Sequence, residues 1–161
     1  MITNKKTEHG THIEELRSAI EHRATWFALL IEEAKKRGLD TTFARDAIYR
    51  CGAFHGESKL PKTSDLSVFT EAFLPENTRK IFDMETEVTE DQLTVTFHYC
   101  PLVAAWQKLG IKDEDIAEYC DIAMDGDRGI ISTYDDFEYQ LGDTISKGCK
   151  TCQLFVTKKK N

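Results

Sequence analysis

The chain has 161 residues and a formal net charge of −7, with 40% apolar and 30% charged residues. That length and mixture suit one globular domain with a single core. The acidic balance excludes nucleic acid as the main partner, because phosphate binding needs a basic patch. No apolar run approaches the roughly 18 residues of a membrane-spanning helix.

Residues 1–10 are polar and are expected to be loose. No signal-type apolar segment follows Met1-Ile2-Thr3-Asn4-Lys5-Lys6, so a cytoplasmic protein is expected. Thr11 and Glu14 form a capping-box pattern. Ile13, Leu16, Ile20, Ala24, Phe27, Ile31 and Ala34 then recur at three- and four-residue steps, which predicts a long amphipathic helix ending at Gly38. A second helix begins near Asp40, with Phe43, Ala47, Ile48, Cys51 and Phe54 expected to face inward. A third, from about Ser64, points Leu66, Phe69 and Phe73 inward and stops before Pro75.

The period then changes from helical to alternating. Phe82, Met84, Thr86 and Val88 alternate with acidic residues, and Leu93, Val95, Phe97 and Tyr99 alternate with Thr94, Thr96, His98 and Cys100. Two strands joined at Glu90-Asp91 are predicted. Pro101 suits the first turn of a helix that ends at Gly110. Asp113 starts another, presenting Ile116, Ala117, Cys120, Ala123 and Met124, and Asp125-Gly126-Asp127-Arg128-Gly129 is expected to break it. Strands at Phe137–Leu141 and around Leu154 and Val156 close the chain. This is an α+β domain over residues 1–161: N-terminal helices packed on an antiparallel sheet, with two helices inserted between its hairpins.

Five cysteines are an odd number, and without a secretion signal reduced thiols are expected. A free cysteine is most often a small buried hydrophobe. Cys51 has His55 one turn on, so the two could touch. Cys149 and Cys152 form a C-x-x-C, but a strand follows where a redox site would place a helix N-terminus. A zinc knuckle needs a second ligand pair, and Cys100 and Cys120 stand singly, so no metal is assigned. His98 and Cys100 are expected on one strand face, where an imidazole could stabilise a thiolate. The alternative is a solvated polar face. Asp121, Asp125 and Asp127 do not follow the spacing of a calcium loop.

In combination, several short motifs resemble the L-2-amino-thiazoline-4-carboxylic acid hydrolase family. They are Cys100-Pro101-Leu102, Gly110 followed by the Asp113–Ile116 helix start, Cys120-Asp121-Ile122, and Gly148 with Cys152 four residues on. Arg23 and Trp26 also fall where such chains carry basic and aromatic residues. The resemblance implies hydrolysis of a C–N bond in a small cyclic amidine, without an organic cofactor. Cys100, Cys120 and Cys152 carry over by motif position. A fainter likeness to four-vinyl-reductase-type domains implies a non-catalytic small-molecule binder. A further cysteine that some of those domains use for metal is replaced here by Thr144.

The expected site is then specific. Cys100 or Cys120 attacks, and His98 or Asp125 moves protons. Cys152, Tyr99, Trp106 and His55 line the substrate pocket. The expected partner is a small molecule, neither nucleic acid nor membrane, and self-association stays open.

Overall fold

The computed structural model describes residues 1–160. Helix α1 (Thr11–Lys36) leads to α2 (Thr42–Ser58), α3 (Leu66–Phe73) and the short α4 (Glu76–Ile81). Strands β1 (Met84–Val88) and β2 (Gln92–Phe97) form a hairpin. Three helices follow: α5 (Pro101–Lys108), α6 (Asp113–Ala123) and α7 (Asp125–Ile131). Strand β3 (Phe137–Leu141), a 3-10 turn at Ile145–Lys147 and β4 (Cys152–Lys158) complete the chain. The sheet is antiparallel throughout, in the order β1-β2-β4-β3. The expected α+β layout is therefore present, with α7 as a third inserted helix.

Register explains the burial. Leu93 pairs with Val156, Val95 with Leu154, and Phe97 with Cys152. These residues share one face because alternate strand residues point the same way. That face meets Leu66, Phe69 and Leu74 from the α3 region, and Ile131, Tyr134 and Phe137 close the cluster. The opposite face carries Glu85, Glu87, Thr94 and Thr96. A second cluster lies among the helices: Ala24, Ala28 and Ile31 of α1, Ala44 of α2, Val103 and Trp106 of α5, Ile116, Tyr119, Cys120 and Ile122 of α6, and Ile145.

Helix α2 sits differently from the expectation. Its buried residues are Ala44, Gly52 and Gly56, while Phe43, Ala47, Cys51 and Phe54 are exposed. The cause is a close crossing with α7. A Cβ on Gly52 would lie 1.9 Å from the Gly126 carbonyl oxygen, and one on Gly129 would lie 2.1 Å from that of Tyr49. Small residues let the backbones touch, and the glycines that read as breakers are the contact surface. Arg45 of α2 binds Asp121 at 2.8 Å and Asp125 at 3.0 Å. Arg128 holds the same carboxylates at 2.7 and 2.6 Å.

The first ten residues are not loose. Asn4 accepts the Cys100 N–H at 2.8 Å and donates to its carbonyl at 2.8 Å. Gln107 donates to the Ile2 carbonyl at 3.2 Å, and Thr7 and Glu8 donate their N–H groups to Asp83. The Ile2 side chain, 6% exposed, enters the helical cluster. Arg17 anchors this strap from α1. It donates to the carbonyls of Glu8, Lys80 and Ile81 and pairs with Asp83 at 2.6 Å. Glu14 is drawn to Arg17 and Lys6, and no side chain caps α1 at Gly10, so the Thr11–Glu14 box does not form.

Candidate functional site: three buried thiols

Three elements bring sulfur to one place. Cys100 ends the segment after β2, Cys120 lies on α6, and Cys152 opens β4. Cys120 belongs to the helical cluster, and Cys100 and Cys152 pack against it. Cys100 does not share the outward face of His98. The strand ends at Phe97, and Cys100 becomes the residue before the first turn of α5. Its sulfur faces the backbone N–H groups of Val103 and Leu102.

Burial dominates the electrostatics. It pushes the Cys100 thiol far up, and charge on Cys152 or Cys120 would push it further, while the α5 N–H groups pull the other way. Cys152 is pushed up to about 12, opposed by the Ile145 N–H, which reaches its sulfur at 3.1 Å. Burial also raises Cys120, opposed by the Ser146 hydroxyl. All three are therefore thiols at neutral pH, since desolvation disfavours the charged form. A thiolate would form only with a base present or with the site opened.

An open hollow of about 390 Å³ is lined by Met1, Ile2, Asp113, Glu114, Ala117, Ser146, Lys147 and Gly148; none of the three cysteines lines it. Ser146 thus joins the hollow to Cys120. On the other side Tyr139, from the inner face of β3, carries a phenol oxygen that is buried without a hydrogen-bond partner. Burial raises the phenol, and charge on Asp127 and Cys120 adds to the effect. Burial likewise pushes the Asp127 carboxyl up to about 6, against the pull of Arg128 and Arg23. Tyr139 therefore lies within electrostatic reach of both Asp127 and Cys120.

The other expected site residues lie elsewhere or are already occupied. His98 sits on the outer face of the sheet, with Nε2 at 3.3 Å from the exposed Glu85 carboxylate, and so faces away from Cys152. Both carboxylate oxygens of Asp125 are taken by Arg45 and Arg128. Burial pushes Tyr99 up to about 12, and the Arg17 guanidinium lies over its ring at 4.7 Å. Trp106 is fully buried, donates to the Ala24 carbonyl at 3.0 Å, and packs against Phe27 and Tyr119. Both are core residues. His55 packs edge-on against Phe54 on α2, and its Nδ1 is buried without a partner. Among the described residues no group of three or more His, Cys, Asp or Glu is arranged to hold a metal ion.

Sequence reasoning missed Asp127, Tyr139 and Ser146. Tyr139 was within reach, since it alternates in phase with Phe137 and Leu141. Asp127 stood inside an acidic cluster that reads as a solvated turn, and only the α6–α7 continuation buries it.

Residues 17–156 match the family model of L-2-amino-thiazoline-4-carboxylic acid hydrolase. The chain belongs to this family. Members of the hydrolase family are named for an activity, and the three carried-over cysteines lie inside the matched segment, whereas most of the strap lies outside it. A comparison with curated proteins found no match. Among solved structures, a trafficking protein particle complex subunit 3 from Naegleria fowleri, covalently bound to palmitic acid, is similar with a TM-score of 0.55 and 14% identity. The likeness covers 87% of this chain and 95% of that one, and it shows a shared fold.

Proposed function

We propose that the chain hydrolyses a C–N bond of a small cyclic amidine of the 2-amino-thiazoline-carboxylate kind, with Cys120 as the attacking group. The observation that carries this is the position of Cys120. It is one of three gathered thiols, and its neighbour Ser146, whose hydroxyl opposes the rise of that thiol, also lines the hollow of about 390 Å³, a size that suits an amino-acid-like guest. The family supplies the reaction class.

A protonated thiol suits an amidine, which brings its own base. The Cys120 S–H proton passes to an amidine nitrogen as sulfur bonds to the amidine carbon. The ring C–N bond breaks, and its nitrogen leaves carrying a proton. Water then adds to the same carbon and displaces the sulfur, which regains its proton. The proton that the water loses is the one the departing sulfur regains. One water is consumed and the thiol is restored. A ring-opening assay on 2-amino-thiazoline-4-carboxylate tests this. Cys120→Ser should lose at least ~100-fold in rate, the scale of losing a nucleophile or general acid–base group. Unchanged rates in both Cys120→Ser and Cys100→Ser would remove the thiols from the reaction.

A second reading is supported by the same burial. Thiols kept protonated among apolar side chains suit a binder that carries an acyl group as a thioester, and the solved neighbour is described as covalently bound to palmitic acid. Intact mass before and after hydroxylamine separates the two. A mass lost on treatment, with no ring opening, favours the binder.

A further inference from the structure

Seven of the eleven large apolar side chains exposed among the described residues fall between residues 26 and 54: Trp26, Leu29, Leu30, Leu39, Phe43, Tyr49 and Phe54. Trp26 is 65% exposed, Leu30 63% and Phe54 61%. Monomeric domains rarely gather apolar surface in this way. Helices α1 and α2 are joined by five residues, 37–41, and both lay their buried sides on the same helical cluster, through Ala24, Ala28 and Ile31 and through Ala44. Helix α1 packs chiefly on α5 and α2 on α7, so each carries its own outer stripe.

The charges beside these stripes choose the partner. Along the outer side of α1 the order is Arg23, Trp26, Leu30, Glu33, spaced symmetrically about Ala28. Set antiparallel to a second copy of itself, that stripe places Arg23 opposite Glu33 at both ends and Trp26 opposite Leu30 twice. A surface that is its own complement under a two-fold rotation is what an isologous dimer requires.

We propose that the exposed stripe of α1 is the interface of a homodimer formed by antiparallel packing of α1 on its copy. In the isolated chain Glu33 pairs with Lys36 and Arg37 on its own helix. Those are exposed contacts that it can exchange for the partner's Arg23. Aromatic and arginine residues at the centre match what interfaces favour.

Sedimentation of the full chain across a dilution series tests this. The expected mass is twice 18.4 kDa at high concentration, falling to one copy on dilution. Trp26→Glu should abolish the dimer while leaving the far-ultraviolet circular dichroism unchanged, because that side chain is outside the core. Trp26 fluorescence should shift to the red on dilution, against the constant signal of buried Trp106. Arg23→Glu alone and Glu33→Arg alone should weaken the dimer, and the double variant should restore it. A chain that is monomeric at every concentration leaves the face to some other partner and overturns the proposal. So does a dimer that tolerates Trp26→Glu, or a double variant that does not recover.

Discussion

The two cores of this molecule are built to different ends. The one against the sheet is hydrocarbon locked by aromatic rings: Phe69 lies 5.0 Å from Phe73, 5.0 Å from Tyr134 and 5.3 Å from Phe137. The one among the helices holds three sulfurs, borders Asp127 and the unpartnered Tyr139 phenol, and is closed by a strap that reaches in from the chain's start. Both bury large apolar side chains, and the candidate thiols belong to the second. In the sheet core the buried Tyr134 hydroxyl is satisfied by the Pro61 carbonyl at 2.8 Å, so the rings around it can pack for density. A core that keeps proton-bearing groups beside a hollow gives up part of that density for reactivity.

The comparison breaks most clearly in stability. Phe69→Ala should cost about 3–5 kcal/mol, the usual loss for a buried ring. Cys120→Ala, in the other core, should stay within about 1–2 kcal/mol, within the ordinary range for a small deletion. Urea unfolding of the two variants measures the difference, and equal losses would erase the distinction. The helix crossing beneath the thiols should be sensitive to added volume instead. Gly129→Ala drives a methyl into the Tyr49 carbonyl and should cost at least about 1–3 kcal/mol by the same measurement.

Titration separates the cores further. The Asp127 carboxyl is raised in the fold from 3.8 to about 6. A raised acid favours the folded state below its unfolded value, and that favour is lost as pH rises from 3.8 through about 6. Asp127→Asn should therefore be more stable than the parent at pH 7.5, and the gain should shrink as the pH falls through 6. A gain that is the same at pH 4 and pH 7.5 would contradict the burial of this carboxyl.

The smallest effect is kinetic. Cys51 is the exposed cysteine, so an aromatic disulfide reagent should label it first; Cys100, Cys149 and Cys152 are half-buried and Cys120 is buried. Cys100, Cys120 and Cys152 should follow slowly. Ile2→Ala should speed the slow phase by loosening the strap, without altering the fast one. A slow phase indifferent to Ile2→Ala would show that the strap does not guard the thiols.

What the sequence let one read tracks how local each cause is. The long α1, the β1–β2 hairpin and the start of α5 at Pro101 follow from periodicity and turn chemistry within a few residues. The reading failed where two local signals competed. Helix α2 carries an apolar stripe and a small-residue stripe, and the small one is buried because α7 offers glycines of its own. The same glycines, Gly126 and Gly129, disguised α7 as a loop. Alternation placed Cys100 with His98, but alternation stops where a strand ends, and the entry into α5 turns the thiol inward. The strap was illegible because Asn4 finds its partner 96 residues away, and Arg17 is buried by three carbonyls and a carboxylate that come from other segments. In the candidate site, the helix position of Cys120 and the strand phase of Cys152 could be read. The nearness of Asp127 to Tyr139 could not, since it needs α6 to continue into α7.

The glycine crossing keys α2 to α7 in a single bearing. A side chain rolled into the seam would strike backbone, and Arg45, reaching from α2 to Asp121 and Asp125, resists sliding. Helix α2 therefore cannot turn over to hide Phe43 and Phe54 when the chain is alone. Whatever shelters those rings must come from outside, and its departure would leave the helix standing where it was.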